Sequence, residues 1–168
     1  MSTPGCPIIE LVIVIWLIQV AFDWKHFIAD YPLQTNWMLG KFNKKGRVIP
    51  LSAHCGVHFL GTALILLGMK LSIGLPTWAL IGLSCLDFVI HFTMDRIKAS
   101  PDLLGRFQTL TKSEGMEIKA RKESNSLTPE DKKKLFSNWM FWQSLGLDQL
   151  VHHLTHDLIR AWPFLFGC

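Results

Sequence analysis

"DFVIHFTMDRIK", Asp87 to Lys98, closes a long apolar run, and in it Asp87, His91 and Asp95 stand at i, i+4 and i+8. That spacing puts the three side chains on one face of a helix, one turn apart. A helix this apolar that still carries a titratable stripe is the first sign of a membrane bundle with a polar interior.

Composition agrees. Of the 168 residues 49% are apolar and 18% charged, with a mean hydropathy of +0.27. Soluble domains usually carry about 25% charge. The net charge of +4 and pI near 9.0 come from basic residues in two short stretches flanking apolar runs. That is a topology signal rather than a nucleic-acid surface, so no nucleic-acid partner is expected. Cys6, Cys55, Cys85 and Cys168 form no CxxC pair and no disulfide framework. Cys55 and Cys85, in apolar segments, read as small buried residues.

Working outward, the apolar runs are regular. "PIIELVIVIWLIQVAF" begins at Pro7 and continues into "DWKHFIAD". The helix expected from about Ile8 to Asp30 is roughly 34 Å long, enough to cross a bilayer. It lacks the charged start and small-residue cleavage site of a signal peptide. Pro32 ends it. A polar loop with Lys41, Lys44, Lys45 and Arg47 follows, then a second run from about Val48 to Leu71. "SIGLP" turns the chain into a third run, about Thr77 to Lys98. The segment from Ala99 to Lys134 is charged and reads as a loop within a single membrane domain covering residues 1–168. "SLTPEDKKKLF" looks like a helix start, with Thr128 as N-cap and Pro129 in first position. The last segment, Phe136 to Phe166, is aromatic and apolar but interrupted by Asp148, His152, His153, His156, Asp157 and Arg160. The fold expected is all-α: an integral membrane bundle of about four helices, at least three spanning. Both basic loops fall at one end, which the positive-inside rule makes cytoplasmic. The expected setting is the bacterial inner (cytoplasmic) membrane, with the lipid bilayer as partner; the oligomeric state stays open.

The His/Asp stripe recurs in every long segment. His26 and Asp30, His54 and His58, His91 and Asp95, and Asp148 and His152 are all i, i+4 pairs. An Asp at mid-helix costs about 2.5–3.5 kcal/mol to insert, so these groups must face one another, water or a cation. Up-and-down packing brings the four pairs to one level. Two imidazoles a turn apart with carboxylates on neighbouring helices make a mixed N/O site for a divalent metal. The eight candidate ligands are His26, Asp30, His54, His58, His91, Asp95, Asp148 and His152. They suffice for one or two ions, with zinc the first expectation and manganese or iron the alternatives. Asp87 and His156 extend the stripes. His153 points away from its neighbour's stripe. Asp23 and Asp157 read as caps or water-facing groups. Lys25, Arg96 and Lys98 neutralise carboxylates or snorkel, and Gln34, Gln149 and Thr155 are candidate supporting donors. The tryptophans read as interfacial anchors.

"HFIADYPLQTNWM", "HCGVH", "HFTMDRIK" and "LDQLVHHLTH" together resemble a family of small bacterial and phage integral membrane proteins catalogued only as a domain of unknown function. The resemblance marks His26, Asp30 and Gln34; His54 and His58; His91, Asp95 and Lys98; and Asp148, Gln149 and His152. A looser similarity is to membrane-bound metal-dependent hydrolases, in which the motif order differs.

The activity expected is metal-dependent hydrolysis of a lipid or membrane-protein substrate at the cytoplasmic face. Asp95 or Asp148 would take a proton, and Lys98 would stabilise developing negative charge. The alternatives are a di-iron membrane oxidase, a metal or proton transporter, and a non-catalytic protein whose metal holds the bundle together.

Overall fold

Apolar runs bounded by Pro and Gly fold as expected. The computed structural model describes residues 7–43 and 45–166, with side chains from 10 onward, and Phe166 by backbone alone. Cys6, Lys44 and Cys168 lie outside the described residues. Five α-helices are present among those residues: α1 (Pro7–Asp30), α2 (Val48–Ile73), α3 (Thr77–Ala99), α4 (Lys112–Glu123) and α5 (Pro129–Phe166). Helices α1, α2 and α3 contain stretches long and apolar enough to cross a membrane. The chain is all-α, a membrane bundle of α1, α2, α3 and α5.

Local chemistry sets the boundaries. Pro50 sits in the first turn of α2, where its missing N–H leaves no helical bond unmade. Gly74 ends that helix at φ 76°, with its N–H on the Lys70 carbonyl at 3.1 Å. That left-handed position suits glycine. The three-residue turn from Gly74 to Pro76 folds α3 back along α2. Between α1 and α2 the loop makes a 3-10 turn, Met38–Phe42, before the chain re-enters the bundle.

The charged segment is more ordered than a loop. It holds a 3-10 turn, Leu104–Arg106, and all of α4. Thr111 and Glu114 form a capping box at the start of α4. The N–H of Asp131 donates to Thr128 Oγ1 at 3.1 Å, so Thr128 caps α5 as expected. Helix α5 therefore starts at Pro129 rather than near Phe136, and it runs for 38 residues. Arg121 on α4 makes a two-pronged ion pair with Asp131 at 2.9 Å, and Lys134 reaches Glu114 at 2.8 Å. These contacts fasten α4 to the first turns of α5. They hold Asp131 and Glu114 down at about 2, mainly through the hydrogen bonds from Arg121 and Lys134 respectively.

The burial pattern is inverted relative to a soluble protein. Leu64, Leu71, Trp78, Ile81 and Val89 are exposed, while His54, His58, Asp87, His91, Asp148 and His156 are all at most 1% exposed. Along α5 the outward face is Leu147, Leu150, Leu154 and Leu158, all exposed. The polar residues that lower its average hydropathy, Asp148, His152 and His156, turn inward. Cys85, expected to be buried, is exposed on α3, whereas Cys55 is buried. On a lipid-facing helix, an apolar neighbourhood does not imply burial. Trp37, Trp139 and Trp142 are exposed at the end carrying the basic loops. At the far end Trp78 and Trp162 meet edge to face at 6.4 Å.

Two halves divide the interior. Toward the far end, Phe22, Leu66, Met69, Leu75, Ala79, Leu83 and Ile159 form one apolar cluster. Toward the basic end the same helix faces carry His, Asp and Lys. The change falls within one turn on each helix: Phe22 to His26, Leu66 to Thr62, Leu83 to Asp87, and Ile159 to His156.

Candidate metal centre

Helical spacing builds the centre in layers. One turn below the boundary lie Thr62, Asp87, His156 and Lys25, all buried. Lys25 donates to Asp87 Oδ2 at 2.8 Å and sits 3.2 Å from His156 Nε2. Thr62 donates to the same Asp87 oxygen at 2.7 Å. Lys25 gets there by passing Gly61 on α2, where a Cβ would meet its Cγ at 2.7 Å. Only a residue without a side chain admits the lysine there.

The next layer is imidazole. His91 lies between His58 and His152, with ring centroids 3.8 Å away on each side. His26 contacts the same group from α1, 5.4 Å from His58 and 5.2 Å from His152. His91 Nδ1 is 3.2 Å from the Asp87 carbonyl, which leaves Nε2 facing its neighbours.

Nearest the basic end is a carboxylate layer. Asp30 Oδ1 lies 3.0 Å from His58 Nε2 and 3.4 Å from His54 Nε2. The same His54 nitrogen is 3.3 Å from Asp95. Asp95 accepts from Lys41 at 2.6 Å, and Asp148 accepts from Lys98 at 2.6 Å. Lys98 is also 3.7 Å from Asp95, and His152 Nε2 is 3.3 Å from Asp148. Above this layer a polar cavity of about 160 Å³, lined by Asp30, Gln34, Lys41, Lys98 and Gln149, opens toward the basic end.

Three groups of ligand atoms are close enough to hold an ion: His26, His91 and His156; Asp30, His54 and His58; and Asp95, Asp148 and His152. All eight residues expected as ligands belong to these groups, with His156 as a ninth. Nδ1 of His26, His54, His58, His152 and His156 and Nε2 of His91 lack a hydrogen-bond partner among the described residues, while His26 Nε2 is 3.2 Å from Asp30 Oδ2 and Asp148 Oδ1 is 3.3 Å from His152 Nε2. Buried donors and acceptors are normally paired. An orphaned set of soft-to-borderline nitrogens this dense, with carboxylate oxygens beside it, fits one or two divalent transition metals or zinc.

The supporting residues divide. Gln149 donates to Asp148 Oδ2 at 3.3 Å, and Gln34 accepts from Lys41 at 3.2 Å. Thr155 instead bonds the Val151 carbonyl of its own helix and supports nothing in the centre. His153 is exposed and faces Asp23 at 3.6 Å, and Asp157 pairs with Arg160 at 2.9 Å, all outside the centre. Lys41 is the residue sequence reasoning missed. It counted only as loop charge, yet its side chain is 4% exposed. No periodicity marks it, because the 3-10 turn, not a long helix, inserts it. Lys25 did carry a signal: the buried positions 22, 25, 26 and 29 on α1 follow helical spacing.

Residues 19–159 match a family described as a protein of unknown function, DUF3307. The chain belongs to this family. The match begins inside α1 and ends inside α5, so it takes in every residue of the three groups. No curated protein and no solved structure matches the chain.

Proposed function

We propose that the chain is a metal-dependent hydrolase embedded in the membrane, with its centre reached from the basic end. The observation that carries this reading is the meeting of two ligand groups, Asp30–His54–His58 and Asp95–Asp148–His152, beneath a polar cavity. His54 touches carboxylates of both groups, which suits a two-ion layout. Zinc is the ion we favour, with manganese or iron as alternatives for the same donors. A bound divalent ion lowers the pKa of water toward about 7 and polarises a carbonyl or phosphoryl oxygen.

The chain's own groups complete the chemistry. Asp148 Oδ2 is held by Lys98 and Gln149, and Oδ1 lies 3.3 Å from His152 Nε2. The carboxylate is therefore oriented, with Oδ1 turned to the imidazole side of the centre, where it would take a proton. Asp95 is held similarly by Lys41. Lys98, partly exposed at the cavity, is placed to neutralise charge developing on the substrate. The apolar cluster of Phe22, Leu66, Leu83 and Ile159 lies across the far side of the centre. This favours a site entered from one end over a conduit for ions. Counting basic residues puts that end in the cytoplasm, for a protein of the bacterial inner membrane.

Elemental analysis of detergent-purified protein, wild type beside a His54→Ala/His91→Ala variant, is the test. One or two equivalents of zinc, manganese or iron, lost in the variant, together with turnover of an ester or phosphoester lipid in nanodiscs, is the expected result. Iron with a ligand-to-metal absorption band would redirect the reading to an oxidase. Absence of metal after reconstitution would sink it.

A further inference from the structure

The polar cavity does not stand alone. A second cavity of about 280 Å³ adjoins it, walled by Leu104, Phe107, Phe141 and Leu145. The two share Phe42, Lys98 and Leu145 in their linings. One is polar and lies over the carboxylate layer; the other is largely apolar and sits between α5 and the 3-10 turn at Leu104–Arg106. Lys98 stands at the junction, lining both cavities, with its ammonium on Asp148.

We propose that the paired cavities hold one amphiphile, a lipid with a phosphate-type anionic head in the polar cavity and a hydrocarbon chain in the apolar one. The inference rests on the metal-centre reading through charge. Lys41 and Lys98 face Asp30, Asp95 and Asp148 around the mouth. These are two positive groups against three negative, so the mouth repels an anion until a divalent ion makes it net positive. A small water-soluble phosphate needs no adjoining apolar cavity, and a chain lying on the outer lipid face needs no lysine. A ligand with both ends uses both. The walls come from the segment between α3 and α4, from α5 and from the loop carrying Lys41. That gives the 3-10 turn at Leu104–Arg106 a role: it closes the apolar cavity over the centre.

The test uses full-length protein in maltoside detergent with n-dodecyl phosphate as probe, and inorganic phosphate and 1-dodecanol as its two halves. Metal content and helical content are measured on each sample. Wild type should bind dodecyl phosphate at least tenfold more tightly than inorganic phosphate. Ser144→Trp, which fills the apolar cavity from α5 and does not line the polar one, should erase that margin while leaving phosphate affinity and metal content unchanged. Leu104→Trp does the same from the opposite wall and serves if the first variant loses helix. Lys98→Gln should weaken both phosphates together. Unchanged dodecyl phosphate binding in folded Ser144→Trp and Leu104→Trp would overturn the proposal, as would dodecanol competing as well as the phosphate. Metal present without the margin defeats this proposal alone. Tight dodecyl phosphate binding by protein holding no metal would overturn the charge argument of this proposal and the hydrolase reading together.

Discussion

The two halves of the bundle interior are built from the same four helices by opposite chemistry. At the far end Phe22, Leu66, Leu83 and Ile159 pack as any core does. One turn away, Lys25, Asp87, His91 and His156 fill the same helix faces. The difference teaches what burial is for in each half. In a bilayer, leucine gains little by leaving lipid for protein, so the apolar half contributes close packing more than hydrophobic force. The polar half contributes partner choice: each inward carboxylate or lysine has a penalty in lipid that a specific neighbour on another helix removes. The apolar half joins the helices, and the polar half fixes which face of each turns inward.

Breaking the polar half should cost most. Asp87→Ala strands Lys25 in the interior, and removal of one partner of a buried pair costs about 3–5 kcal/mol. Unfolding by heat or SDS titration in detergent should show a loss of that size, and Lys25→Met/Asp87→Leu should restore most of it. An Asp87→Ala protein as stable as wild type would end the comparison. Leu66→Ala, fully buried in the apolar half, should fall in the lower part of the roughly 2–5 kcal/mol range for such cavities. The reason is that leucine is not returned to water when these helices separate. Gly61→Ala pushes on Lys25 Cγ and should cost about 1–3 kcal/mol as overpacking does. Its effect should vanish when Lys25 is already Ala, which has no Cγ, a double-mutant cycle that sharpens the claim that α2 is notched for the lysine.

The smallest effect should come from acid. Asp131 and Glu114 are held at about 2, against ordinary values of 3.8 and 4.5. A carboxyl lowered on folding contributes stability that is complete above its unfolded value and lost as pH falls through the folded one. Between about pH 4.5 and 2, α4 should detach from α5. Hydrogen exchange, corrected for intrinsic rates, should rise across residues 107–128 while α2 and α3 stay protected. Added salt should weaken the attachment at neutral pH as well, because these pairs are screened.

Much of this arrangement is legible in the residues. The helical period of Asp87, His91 and Asp95, repeated as pairs on three other helices, places the level of the candidate metal centre, because one period governs both. Pro32, Gly74 and Pro76 place the breaks by backbone chemistry that is local. What stays hidden depends on contacts across the chain. Lys41 reaches Asp95 from a loop, Gly61 matters only because Lys25 passes it, and Cys85 faces outward although its surroundings in sequence are apolar. The early start of α5 at Pro129 is marked by Thr128, but what holds its charged first turns against the rest of the chain is not visible in the sequence. Their pairing with α4 is that hold.

The 3-10 turn at Met38–Phe42 has a consequence in time. Lys41 is buried on Asp95, a residue 54 positions later in the chain. At about 5–20 residues per second of synthesis, its partner follows roughly 3 to 11 s after it is made. During that interval Gln34, its other partner, is already made, and the lysine counts as one more positive charge beside the α1–α2 hairpin, of the kind that biases orientation in a membrane. Once α3 is in place the same ammonium folds inward and becomes part of the centre. One side chain is thus an exposed charge while the chain is being made and a buried partner in the finished core.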